Sequence, residues 1–301
     1  MRKENIMKTK GLTVTMVMLA ESANYTEGFG NISVLKKMSR GDRSQYTYIS
    51  RQTLRYSIVQ QAEWDNTDVW MADTNTVQFT PAATIDCYPE IDLFGYMKTT
   101  PKGKKGNKDS KGDAKIRSAV ARLSNAISLE PFKGDMDYLN NMGLARRINA
   151  ANTIVQSEIH CSYYTYTLSI DLDKVGIDGE IEISADEKAK RVNILLETIE
   201  NLYRDIKGRR ENLAPIFAIG GVYDRKNPYF ENRIKVENNV LNTKLIKEIK
   251  ESNTDVKSNT ICGVTSEMFA NADAIKDELN ARTISEMFNE LKSKVREYYG
   301  C

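Results

Sequence analysis

Between Lys36 and Arg55 the chain carries six basic residues, Lys36, Lys37, Arg40, Arg43, Arg51 and Arg55, against one acid, Asp42. Tyr46, Tyr48 and Tyr56 lie among and beside them. Guanidinium and ammonium groups meet phosphate oxygens, and aromatic rings between them offer faces on which bases stack, so the pattern suits single-stranded nucleic acid. The bland alternative is a solvated helix flank. Arg51 and Arg55, four apart, would share such a flank and repel by roughly a few tenths of a kcal/mol unless an anion sits between them. The basic residues just upstream tip the reading toward an anion site. The net charge of +2 over 301 residues does not oppose it, because the charge is segregated along the chain.

Bond-breaking chemistry has fewer candidates. His160 is the single histidine, which excludes a two-histidine nuclease or a His-rich metal site within this chain, and a structural role is the preferred reading for it. Asp135 and Asp137, and Asp171 and Asp173, stand two apart, so on a strand each pair would share a face and could hold Mg²⁺. Acidic strand ends are the simpler explanation, and no metal is expected. Gly220–Gly221 lacks the glycine spacing of a dinucleotide site, and no phosphate-binding loop with the G-x-x-x-x-G-K-[ST] pattern occurs. The glycine pair reads either as a bulge or tight turn or as a place where a sugar-phosphate backbone comes close. Cys87, Cys161, Cys262 and Cys301 are scattered, as suits reduced thiols. No catalytic residue and no cofactor is expected.

The elements that must position these residues follow from hydrophobic period and punctuation. "GLTVTMVMLA" (11–20) reads as a buried strand. Basic Arg2 and Lys3 precede it in the manner of a leader, but threonines alternate through the apolar run, which also falls short of the roughly 20 residues of a membrane span. A cytoplasmic protein with no membrane partner is expected. "ISRQTLRYSIVQQA" (49–62) reads as a helix capped by Ser50, with Leu54, Ile58 and Ala62 on one face. Strand character returns in 115–129 and most clearly in 158–172. A long amphipathic helix spans about 185–206, an apolar strand 214–224, and a helical tail 266–299. Two stretches, about 66–114 and 130–160, are irregular, and "TPKGKKGNKDSKGD" (100–113) has five lysines set among glycines and polar residues. Without these insertions the order is strand, helix, strand, strand, helix, strand. That is the α+β ferredoxin-like arrangement of RNA-recognition motifs.

Several quoted stretches carry a further likeness. "GLTVTMVMLAESANYTEGFGNISVLKKM", "YTYISRQTLRYSIVQ", "DLFGYM", "RSAVARLSNAISLEPF", "HCSYYTYTLSIDL" and "IGG" occur in an order that resembles the DevR-type Cas-seven family over roughly residues 11–236. These are backbone subunits of the type I-B CRISPR surveillance complex, Cascade. The resemblance implies one RRM-like palm over 1–301, with a fingers insertion at 66–114, a thumb at 130–160 and a C-terminal helical region at 240–301. It implies a subunit that polymerises with copies of itself along the CRISPR guide RNA and presents it to target DNA. Its other partners would be a cap subunit, a large subunit and a guide-processing endonuclease. Under it, Lys36, Lys37, Arg40, Arg43, Arg51 and Arg55 form a phosphate cradle, joined by Arg117 and Arg122. Met142, Arg146 and Arg147 lie in the thumb, where a methionine could wedge a displaced base, and Gly220 and Gly221 match a glycine turn beside the RNA. A related enzyme class cuts target RNA with an aspartate in the loop after the first strand. Residues 20–38 here hold only Glu21 and Glu27 as acids, which favours a non-catalytic scaffold. A stand-alone RNA-binding regulator is the remaining reading.

Overall fold

The computed structural model describes residues 9–26, 28, 30–71, 75–99 and 114–301. The lysine-rich stretch 100–113 lies outside them. A central antiparallel sheet is assembled from β1 (Gly11–Ala20), β2 (Lys37–Ser39), β3 (Gln45–Ile49), β4 (Ala121–Leu123) and β5 (Ala126–Ser128). A second insertion, β6 (Asp135–Asn140) and β7 (Ile154–Ile159), pairs as a separate hairpin. β8 (Ser162–Asp171) returns to the sheet, β9 (Tyr203–Ile206) and β10 (Arg209–Asn212) form a short hairpin, and β11 (Phe217–Tyr223) and β12 (Thr260–Val264) complete the sheet. The strand order is β12-β11-β1-β8-β5-β3-β2, with β4 also paired to β8.

With α1 (Arg51–Gln61) after β1 and the helix Ala185–Glu200 after β8, the ferredoxin-like core is complete. Its fourth, first, third and second strands are β11, β1, β8 and the pair β4/β5, in that spatial order. β1 is buried along its length because both faces are covered. Leu12, Val14, Met16 and Met18 point into one cluster with Leu54 and Ile58 of α1, Val192, Leu195 and Ile199 of the second helix, and Phe288, Leu291 and Val295 of the C-terminal helix Ile284–Tyr299. Val17, Phe217, Ile219 and Cys262 point the other way, under Phe230, Ile234, Leu241, Ile246, Phe269 and Ile275.

Three local departures from the sequence expectations bear on the site. The middle strand expected over 115–129 is broken. Ala114–Arg117 pairs with Tyr96–Thr99, while β4 and β5 are separated at Ser124–Asn125, where the Ser124 hydroxyl accepts from the Thr167 N–H. That break frees the Asn125 side chain to accept from the Arg51 N–H at 2.9 Å. The helix expected to run to 206 stops at Glu200, because Lys207 (φ 49°) and Gly208 (φ 78°) form a two-residue turn of the kind that closes hairpins, pulling 203–212 into β9–β10. The C-terminal region expected to be helical, 240–301, contains a strand, β12, ahead of the 266–299 tail, and its five residues are all buried at the sheet edge. Of the irregular insertions, 66–114 holds the hairpin Val69–Met71/Val77–Phe79 and a short helix, Pro89–Phe94. The 130–160 insertion is the β6–β7 hairpin with a helical tip, Met142–Ala145.

Candidate nucleic-acid interface

Period two puts Tyr46 and Tyr48 of β3 on the sheet face away from α1, with Ile127 of β5 and Thr165 of β8 beside Tyr48 in register. Tyr48, Ile127 and Thr165 floor a groove of about 1020 Å³, whose far wall is the segment Glu231–Lys235. Lys36, Arg40, Arg51 and Lys235 line it against one acid, Glu231, with Ser50, Gln52, Ser124, Asn125 and Asn232 as neutral donors and acceptors. Arg51 reaches it because Ser50 caps α1, its hydroxyl accepting from the Thr53 N–H, so Arg51 is the first helical residue and stays exposed. Arg40 leaves β2 and lays its guanidinium 4.2 Å above the Tyr46 ring, a contact that holds the head in place without neutralising it.

The groove continues at both ends. One neighbouring cavity of about 450 Å³ shares Arg51, Gln52 and Leu123 with it and adds Arg55, Phe94 and Arg122. The other, about 610 Å³, shares Arg40, Leu129, Ile234 and Lys235 and adds Lys133, Glu130, Asp135, Glu237 and His160. Among the described residues, no carboxylate forms an ion pair with Lys36, Arg40, Arg51, Lys133 or Lys235. A trough with unneutralised cations, neutral hydrogen-bonding side chains and the positive end of an eleven-residue helix can hold a chain of phosphates without reading base sequence.

The structure does not bring every expected residue here. Lys37 is corrected to a structural role: its ammonium bridges both Glu158 oxygens at 2.6 Å, beside the Phe132 ring, tying the β6–β7 hairpin to β2. Arg117 is likewise internal. Its side chain is 8% exposed and holds Asp92 at 2.7 Å, and Asp92, itself 0% exposed, also takes Arg191 at 3.0 Å. Arg55 lines the end cavity but is paired with Glu90 at 2.9 Å, and Arg122 is paired with Asp171 at 3.0 Å while remaining half exposed. Arg43 sits in the turn after β2 at φ 65°, exposed and off the groove lining. Met142, Arg146 and Arg147 are exposed at the tip of the β6–β7 hairpin, away from the trough. Gly220 and Gly221 are corrected outright: both are buried in β11, and a Cβ would run into the Thr13 carbonyl at Gly220 and the Asn259 carbonyl at Gly221. Their close approach is to this chain's own backbone.

His160 is buried in a polar chain, its Nδ1 2.7 Å from the Thr47 hydroxyl, which also meets the Tyr164 hydroxyl at 2.6 Å. Burial pushes its pKa down. Asp171 and Asp173 are occupied by basic side chains, Arg122, Lys174 and Lys226. Lys235, Lys133 and Asn125 were not foreseen. The alternation of buried Ile234 and Val236 with exposed Arg233, Lys235 and Glu237 was the available signal for Lys235.

No helix among the described residues is long and apolar enough to cross a membrane. Residues 12–244 match the family model described as the CRISPR-associated negative auto-regulator DevR/Csa2. Two solved structures share the fold. One, titled "CRISPR RNA-guided surveillance complex", aligns at TM-score 0.58 and 11% identity over 94% of this chain and 99% of the other. The second, of such a complex in a pre-nicking state, aligns at TM-score 0.58 and 9% identity over 93% of this chain and 100% of the other. The search of curated proteins returns no match.

Proposed function

The chain belongs to the DevR/Csa2 family of CRISPR-associated proteins, and on that premise we propose that it is a non-catalytic, CRISPR-RNA-binding backbone subunit of a type I-B Cascade surveillance complex. The observation that carries this reading is the trough with Lys36, Arg40, Arg51, Lys133 and Lys235 unpaired along it. Phosphates of the guide lie against these cations and the α1 N-terminus, while its bases face outward to pair with target DNA. Sequence is then read by base pairing and the protein reads backbone and shape. Copies repeat along the guide, and the β6–β7 hairpin, with Tyr138, Leu139, Met142, Leu144 and Ile148 exposed along it, reaches from one copy toward the next. The cap subunit, large subunit and guide-processing endonuclease bind at the ends and along the filament.

Native purification of the untagged assembly tests this. The expected result is co-purifying RNA of defined length with several copies of the chain on size-exclusion chromatography. A monomer or dimer that stays so when guide RNA is added supports a stand-alone regulator instead. Evenly spaced cleavage of complementary RNA in Mg²⁺ would replace the scaffold reading with an enzymatic one.

A further inference from the structure

On the opposite flank of α1 from the trough, a cavity of about 550 Å³ opens between the helix, the loop after β1 and the β9–β10 hairpin. We propose that this cavity is a second nucleic-acid contact that takes one unpaired nucleobase by stacking, an inference that rests on reading the trough as a strand track.

Three tyrosines line it, Tyr25, Tyr56 and Tyr203. Two are pinned. The Tyr25 hydroxyl donates to the Glu158 carbonyl at 3.0 Å, and the Lys207 ammonium lies 4.0 Å from its ring centre. Tyr203 carries the Arg210 guanidinium at 4.4 Å, and Asp205 fixes that guanidinium through two hydrogen bonds of 2.9 and 3.1 Å. Tyr56 differs: it is 65% exposed on the crest of α1, and among the described residues nothing packs on its ring or bonds its hydroxyl. Two fixed rings and one free ring thus line the same cavity. Arg204 also lines the cavity, buried and paired with Glu211 through Nε at 2.7 Å.

Charge argues for a base over an acidic peptide. Arg204 and Arg209 are neutralised by Glu211 and Glu21, and Arg210 by Asp205. What remains uncovered is ring surface, which binds any base through its π face. The position fits a strand track, because the first turn of α1 is a shared wall: Ser50, Arg51 and Gln52 face the trough, and Thr53 faces this cavity. A strand leaving the trough over the start of α1 arrives at Tyr56.

The test uses the full chain and a single-stranded RNA oligomer carrying 5-iodouridine at each position in turn, irradiated and mapped by mass spectrometry. The expected crosslinks fall on Tyr56 or Tyr203. Tyr56→Ala should weaken binding about tenfold, the loss of one stacked base, with the salt dependence unchanged. Tyr56→Phe should retain it. Crosslinks confined to trough residues, together with unchanged affinity in Tyr56→Ala, overturn the proposal while leaving the trough intact. A wild-type chain that binds no RNA at any salt concentration removes both.

Discussion

Arg51 and Arg117 both stand beside the central sheet, and their surroundings give them opposite work. Arg51 projects from the first turn of α1 into an open trough with no carboxylate partner among the described residues. Arg117 is locked with Arg191 around Asp92, which also accepts from the Gly176 N–H at 2.9 Å. That knot joins the helix Pro89–Phe94, the strand Ala114–Arg117 and the helix Ala185–Glu200. The difference lies in desolvation. A charge removed from water must find its counter-charge inside the chain, whereas a charge left in a groove keeps its capacity for an external one. Basic residues of this chain therefore divide by the presence of a buried acid within reach.

The largest effect expected from breaking this comparison is at the knot. Asp92→Ala removes the fully buried carboxylate shared by two guanidinium groups, leaving Arg191 only Glu187 and Arg117 only Asp178 at 4.0 Å as carboxylate partners among the described residues, and urea unfolding should show a loss of about 3 kcal/mol. RNA affinity of the protein that remains folded should be unchanged. A loss of RNA affinity without a loss of stability would move Arg117 back into the binding set. Next is Gly220→Ala, which drives a Cβ into the β1 backbone at Thr13 and should cost about 1–3 kcal/mol by the same assay, again with RNA affinity preserved. A selective loss of RNA affinity there would restore the glycine pair as a contact.

A smaller effect concerns pH. Burial lowers the pKa of His160 from the usual 6.5, so the unfolded chain takes up a proton there before the native one does. The unfolded state then binds more protons, and stability contributed by the neutral ring is complete above about pH 6.5 and declines as pH falls below it. His160→Gln should flatten that part of the pH–stability curve. RNA binding at neutral pH should be unaffected, and a large drop would indicate a direct role for His160 at the end of the trough.

Much of this was legible in the chain itself. β1 spans the expected residues 11–20, Ser50 caps α1, and the core order of strands and helices matches the sequence pattern. Hydrophobic period reports which face is buried, and a helix cap is local chemistry. The features that were missed are non-local. Lys37, Arg55 and Arg117 look like Arg40 and Arg51 in sequence, and only the arrival of Glu158, Glu90 and Asp92 from distant positions sets them apart. Asn125 and Lys235 joined the trough through a strand break and a crossing segment, neither of which hydrophobic period encodes. β12 has no signal in the sequence pattern because the five residues Thr260–Val264 are too few to show a period of their own.

The most direct test of the central claim is the salt dependence of binding to a single-stranded RNA, measured by fluorescence anisotropy for the wild type and for the Arg40→Glu/Arg51→Glu double variant. Five phosphate contacts predict a slope of log affinity against log salt of about −3.5 in the wild type. The double variant should show a shallower slope and a large loss of affinity, with unfolding stability within about 0.5 kcal/mol of the wild type. Equal slopes and equal affinities in the two proteins would contradict the account.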